Sequence, residues 1–172
     1  MARLAALATA AYLPHYADLW TDGGLGYAAR AFAPARLAAL AGDPRVRLRL
    51  ITARGEPAGF AQWQLPAAAL IDGATGEPGC AAVYLERLYL LRSATGLGLG
   101  AAVLAAVEDD AREQGLAAVW LRAMSCRPAL VAYYRRHGYE PVGEDRLDAP
   151  GVVAGREGMV RLLKRVTVAA GS

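Results

Sequence analysis

The chain has 172 residues, 55% of them apolar and 20% charged, with a formal net charge of +3. That length suits a single domain over residues 1–172 with a real core, and charges of both signs are mixed without a basic stripe or tail, so no nucleic-acid partner is expected. Two cysteines, Cys80 and Cys126, and two histidines, His15 and His137, make no metal spacing, so no metal is expected, and a reduced, cytoplasmic protein is the plain inference.

In chain order, Met1–Ala8 has one positive charge and a short apolar run made mostly of alanine, too weak for a secretory leader. No stretch approaches the roughly 20 apolar residues of a membrane span, so no membrane partner is expected. Ala10–Trp20 reads as a helix with Thr9 as N-cap, Pro14 in its first turn and Asp22-Gly23-Gly24 ending it. Leu25-Gly26-Tyr27 links it to a second helix, from about Pro34 to Ala41. Val46–Thr52 alternates as a half-exposed strand, Gly55-Glu56-Pro57 turns the chain, and Gly59–Leu65 returns as its partner. Pro66–Cys80 reads as a loop or long hairpin tip.

Val83–Leu91 is almost continuously apolar, as a strand covered on both faces would be. Glycines follow at 96, 98 and 100, then a helix with a stripe of Leu97, Val103, Leu104, Val107 and Ala111. Glu108, Asp109, Asp110, Arg112 and Glu113 lie mostly off that stripe, and Gly115 ends the helix. Ala117–Leu121 reads as a second buried strand, parallel to the first. Pro128 opens another helix and Gly138 closes it. Tyr139–Gly143 starts a last hairpin that finishes as a strand over Gly158–Val168.

The strand, glycine run and helix from Val83 to Gly115 carry the chemistry. Glycines let successive N–H groups point into one concavity, and the helix adds free N–H groups and its positive dipole end. Such a site takes a phosphate or pyrophosphate. A dinucleotide fold needs an acidic residue about 20 positions on, where Ala118-Val119-Trp120-Leu121 stand instead. A nucleoside-triphosphate loop needs Gly-Lys-Ser/Thr, whereas Gly100 precedes Ala101-Ala102. A phosphorylated cofactor of another kind remains.

Thr95-Gly96-Leu97-Gly98-Leu99-Gly100 resembles the Q/R-x-x-G-x-G/A loop of the GNAT acyltransferases, and Tyr133-Tyr134-Arg135-Arg136-His137-Gly138-Tyr139 resembles that family's Y-x-x-x-G-F/Y ending. Leu85-Glu86-Arg87-Leu88-Tyr89-Leu90 and Gly158–Leu163 are similar to the bacterial spermidine/spermine-type branch. The resemblance implies an α/β (α+β) fold: a mixed, mostly antiparallel sheet with one splayed parallel strand pair, flanked by helices. It also makes Met1–Thr9 a first edge strand. Acetyl-CoA is then the co-substrate, gripped at its pyrophosphate by Thr95, Gly96, Leu97, Gly98, Leu99, Gly100 and Ala101. Leu88, Leu90, Leu91 and Arg92 lie along its pantetheine arm. Thr95 stands where Gln or Arg is usual, and Arg127 or Cys126 where an Asn commonly holds that arm.

The implied reaction is direct attack of a primary amine on the thioester through a tetrahedral intermediate, aligned by the splayed strands. A backbone N–H near Leu90 would stabilise the oxyanion. Tyr134, four residues before Gly138, stands where the family has its general acid. Glu86, the sole acid within the central strand, is the candidate base or cation attractor, with a surface ion pair or a water chain as the alternatives. His137, in a last helical turn, reads as a cap. Tyr12, Tyr16, Trp20 and Tyr27 either pack the helices or face the acceptor. A small-molecule amine is the expected acceptor, possibly a polyamine. A CoA-binding regulatory module and a protein N-terminal or lysine acetyltransferase are the alternatives, and an exposed C-terminal edge strand admits a homodimer.

Overall fold

Alanine, the strongest helix former, decides the N-terminus. In this computed structural model, which describes residues 1–66 and 81–167, Ala2–Tyr16 forms one 15-residue helix, α1. The edge strand expected over Met1–Thr9 is thereby corrected, and so is a helix beginning at Ala10. Ala8, Ala11 and Tyr12 bury one face of α1, and Thr9 lies within it, its hydroxyl donating to the Ala5 carbonyl at 3.0 Å instead of capping. Pro14 falls near the C-terminal end of α1, not in a first turn.

A 3-10 turn over Ala17–Leu19 leads to α2 (Leu25–Ala31) and α3 (Pro34–Gly42). Helix α2 occupies the stretch read only as a link. Its start is set by Asp22, whose carboxylate accepts from the Gly24 and Gly26 amides at 2.9 and 2.8 Å.

The strands are β1 (Val46–Ala53), β2 (Glu56–Gln64), β3 (Val83–Leu90), β4 (Ala118–Met124), β5 (Glu140–Arg146) and β6 (Gly158–Arg165). They form one sheet in the order β1-β2-β3-β4-β6-β5, antiparallel except for β3 beside β4. The loop expected over Pro66–Cys80 lies outside the described residues from 67 onward, as does Val168. Helix α4 (Leu99–Glu113) crosses from β3 to β4, and α5 (Pro128–Arg136) follows β4.

Two layers of helix cover the sheet. On one face Leu104, Val107 and Ala111 of α4 and Tyr134 of α5 pack on Ala61, Leu85 and Leu121. On the other, Ala8 and Tyr12 of α1 and Phe32 and Leu37 pack on Phe60 and Met124. Each fully buried leucine contributes about 1.5–3 kcal/mol by leaving water. Two stripe assignments differ from expectation. Leu97 is 55% exposed, because it precedes α4 at the tip of the glycine turn. Glu108 is 6% exposed, because Lys164 of β6 reaches it at 2.8 Å and the Tyr139 hydroxyl donates to it at 3.3 Å.

The parallel pair is short. Only Val83, Tyr84 and Leu85 pair with Val119, Trp120 and Leu121. Beyond them β3 runs to Leu90 on β2, while β4 runs to Met124 on β6. The two strands therefore part, and the β4-facing side of β3 after Leu85 has no strand partner among the described residues.

A second irregularity lies in the same strand. Gln62 pairs with Arg87 but Trp63 pairs with Leu85, so Glu86 is an extra residue opposite the break. A bulge re-aims side chains. Here it turns Glu86 and Arg87 toward the same side, the one covered by α1 and α2.

Candidate active site

The gap between β3 and β4 opens into a cleft of about 720 Å³, within the usual range for ligand sites. One wall is the β3 end, with Leu88, Tyr89 and Leu90; the floor is Thr95, Gly96, Gly98, Leu99, Gly100 and Ala101. The other wall is Cys126, Arg127, the α5 residues Pro128, Leu130, Tyr133 and Tyr134, and His137 just after α5, and the mouth is His15 and Tyr16. Of the residues expected to hold the cofactor, Leu91, Arg92 and Leu97 do not line it. Leu97 points to solvent, and the Arg92 guanidinium donates to the Pro14 carbonyl at 2.6 Å.

The glycine turn is built for an anion. Gly98, at φ +77°, caps α4 in the left-handed region, and a Cβ there meets nothing within 4 Å. The backbone conformation, not crowding, requires glycine at this position. Gly98→Ala is therefore expected to cost about 1 kcal/mol, a melting shift of roughly 2–4 °C, and to weaken CoA binding several-fold. Unchanged melting and CoA affinity by calorimetry would remove the cradle's dependence on this conformation. At Gly100 the reason differs: a Cβ would stand 2.5 Å from the Tyr133 hydroxyl, so its smallness lets α5 close on α4.

Two polar side chains expected to face the cofactor are occupied elsewhere. The Thr95 hydroxyl donates to the Arg92 carbonyl at 2.7 Å, leaving the backbone as the cradle. Arg127 donates to the His15 carbonyl at 3.1 Å and pairs with Asp18, which also holds Arg156. This ties the end of α1 to the start of α5 across the cleft mouth. His15 Nε2 bonds the Leu90 carbonyl at 3.1 Å. Sequence reasoning missed His15, because the contact joins residues 75 positions apart.

Tyr134 is 7% exposed, packs edge-on to Tyr133 and Tyr139, and faces the cleft. Burial pushes its phenol well above the ordinary value. The hydroxyl has no hydrogen-bond partner among the described residues, so it is free to donate to a bound group. Tyr16 is pushed up to about 12, mainly by burial. His137 Nδ1 bonds the Tyr133 carbonyl at 2.9 Å within its own helix end.

Glu86 lies outside this cleft. It lines a smaller cavity of about 140 Å³ on the other side of Tyr16 and Tyr89, which both cavities share. Here Tyr12, Trp20, Tyr27, Arg87 and Arg122 join it. The aromatics serve both as packing and as wall: Tyr12 stacks on Tyr16 and Tyr27, and Trp20 donates to the Tyr12 hydroxyl at 2.7 Å. Among the described residues Glu86 is held by three donors. Gln62 and Gln64 reach Oε2 at 2.5 and 3.3 Å, and Arg87 reaches Oε1 at 3.0 Å. Gln62, wholly buried, also accepts from Arg87.

Two adjacent spaces result: a long cleft with an anion cradle and an apolar slot, and a compact cavity beside it. Open space at the Gly96 and Gly98 Cβ positions and the unpaired β3 edge fit a phosphorylated, pantetheine-like arm.

The sequence profile of the Acetyltransferase (GNAT) family matches residues 11–139. No curated protein matches the chain. Among solved structures it is similar to the ribosomal-protein-S18-alanine N-acetyltransferase from Escherichia coli (21% identity, TM-score 0.61, covering 80% of this chain and 79% of that one). It is also similar to the PaiA N-acetyltransferase from Thermoplasma acidophilum in complex with coenzyme A (14%, TM-score 0.68, 94% and 90%). A third is a GNAT family acetyltransferase from Elizabethkingia anophelis with acetyl-CoA bound (10%, TM-score 0.59, 78% and 84%).

Proposed function

Because this chain belongs to the acetyltransferase (GNAT) family, and is thus an acyltransferase, we propose that it moves the acetyl group of acetyl-CoA to a primary amine of a small molecule held in the cavity beside Glu86. The observation that carries this is the parting of β3 from β4, which opens the cleft of the anion cradle directly beside the aromatic cavity, with Tyr16 and Tyr89 lining both.

When bound, acetyl-CoA supplies the activated thioester. The α4 end and the Gly96–Ala101 backbone hold its pyrophosphate, and the free β3 edge at Leu88 and Leu90 aligns the arm. An N–H near Leu90 stabilises the oxyanion as the amine attacks. Glu86, fixed in one orientation by Gln62, Gln64 and Arg87, takes the amine's proton, directly or through a water. Tyr134 donates to the departing sulfur. No helix among the described residues is long and apolar enough to cross a membrane. A homodimer would use a surface other than strand addition on the edge strand β5, where exposed Glu140, Pro141 and Glu144 guard the edge.

The resemblance of Leu85–Leu90 favours polyamines, whereas the charges around the cavity favour a different amine. Free-CoA release from acetyl-CoA against a panel of amines tests the transfer itself. Turnover is expected with at least one small primary amine, and Glu86→Gln is expected to lower kcat/KM about 10²-fold. Tight CoA binding without turnover on any amine would replace this function with a CoA-binding regulatory module. An unchanged kcat/KM in the variant would pass the base role to water.

A further inference from the structure

Among the described residues three charged side chains line the acceptor cavity, and they do not balance. Glu86 is the one carboxylate; Arg87 and Arg122 are both guanidinium groups. Resting on the acceptor site proposed above, we propose that the acceptor is a compact amine bearing an anionic group close to its nitrogen, an amino-acid-like zwitterion whose carboxylate is taken by Arg122.

The surplus of positive charge persists as the count widens. Behind Arg122, Asp145 lies 3.4 Å from it and 4.0 Å from Arg161, adding one charge of each sign. At the cleft mouth Asp18 is shared between Arg127 and Arg156, again one carboxylate for two guanidinium groups. Glu86 itself has little attraction to spare, being already paired with Arg87 and bonded by two glutamine amides. A polyamine entering here would bring two or more further cations against that surplus, in a space where water screens poorly. A zwitterion brings one charge of each sign and can orient them.

Arg122 is the side chain shaped for the anionic end. The Tyr84 hydroxyl accepts from its Nε and Nη2 at 3.0 and 2.8 Å, and the guanidinium stands over the Tyr84 ring with 5.5 Å to the centroid. That fixes the plane of the fork. Its side chain is 31% exposed, and the Nη1 contact to Asp145 is long. A planar, pre-oriented fork with donors to spare matches a carboxylate in both geometry and charge. Arg87 is 5% exposed and its Nε has no partner among the described residues, a second guanidinium donor left unmet at the same wall. The cavity volume, about 140 Å³, equals roughly five waters at about 30 Å³ each. It suits a compact acceptor better than an extended chain.

The test compares acceptors that differ only in the carboxylate. Glycine, alanine and methionine are each assayed against their amides, with spermidine alongside, by free-CoA release and by calorimetric titration into the CoA-loaded protein. The acids are expected to exceed their amides at least tenfold in kcat/KM. Arg122→Gln should raise KM for the acids on the order of 10- to 100-fold, the range of a charge-assisted pair, with kcat within about twofold. The amides' KM should not move, and Arg122→Lys should restore part of the loss. Preference for spermidine or the amides, or an equal effect of Arg122→Gln on acid and amide, overturns the proposal. If no amine turns over, Arg122-dependent binding of the acids still upholds it, and only the acetyl-transfer function fails. No binding of the acids overturns it.

Discussion

Replacing Tyr134 with phenylalanine is expected to lower kcat about 10²-fold while CoA affinity stays within about twofold. The size follows from what the hydroxyl can do. An ordinary phenol titrates near 10 and an ordinary thiol near 8.5, so complete proton transfer to sulfur is uphill by about 2 kcal/mol. Burial raises the Tyr134 phenol further. Its contribution is thus mainly a hydrogen bond that strengthens as charge builds on the sulfur, with the proton crossing late. A bond to a charged partner is worth about 1.5–3 kcal/mol, roughly 10- to 150-fold in rate.

The pH dependence has a definite sign. A group with a raised value that works protonated stays competent below that value, so Tyr134 itself should impose no fall in kcat up to about pH 10. Steady-state kinetics on the variant and a pH–kcat profile of the parent protein check both points. An unchanged kcat would remove Tyr134 from the chemistry, and a decline centred near pH 8 that vanishes in the phenylalanine variant would mean burial does not govern its titration. Tyr133→Phe is the control: that hydroxyl packs on Gly100 of α4, and its loss should leave kcat within a few-fold.

Helix α4 and its glycine turn were legible because both signals are local. Gly98 announces a left-handed cap, and Leu104, Val107 and Ala111 repeat with the helical period. The parallel strands around α4 followed from the crossover rule. The N-terminus misled because the family resemblance implied a strand where a run of alanines favours a helix. Local propensity was the better guide there. Glu108 looked solvent-facing because its partner, Lys164, is 56 residues away.

The acceptor cavity was the least legible part. In an unbroken strand Glu86 and Arg87 would point to opposite faces. The bulge opposite Gln62 and Trp63 brings both to one cavity, and no periodicity in Leu85–Leu90 signals it. His15 on Leu90 and Arg127 on Asp18 are likewise products of how α1 lies across the open strands.

Gly59→Ala is expected to be the most damaging small substitution in the sheet. Gly59 pairs with Leu90 at the end of β3, in the stretch that has already parted from β4. An added Cβ would overlap the Tyr89 carbonyl oxygen, lie 2.9 Å from the Leu90 Cα and 3.0 Å from its Cδ2. Two of those atoms are backbone, so no rotamer change relieves the clash, and β2 and β3 must move apart. Overpacking of this kind costs about 1–3 kcal/mol or more, and the upper end applies because the strand end is anchored on both sides. The Leu91 amide donates to the Ala58 carbonyl at 2.8 Å, and His15 holds the Leu90 carbonyl. At about 3 kcal/mol the melting temperature should fall by roughly 6–12 °C. Displacement of the Leu88–Leu90 edge should weaken CoA binding at least tenfold, since that edge aligns the arm. Gly42→Ala, where a Cβ meets nothing within 4 Å, should stay within about 2 °C and bind CoA normally. Thermal melts and CoA calorimetry on both variants decide it: a Gly59→Ala protein matching Gly42→Ala in both would mean that the β3 end yields freely and does not set the slot.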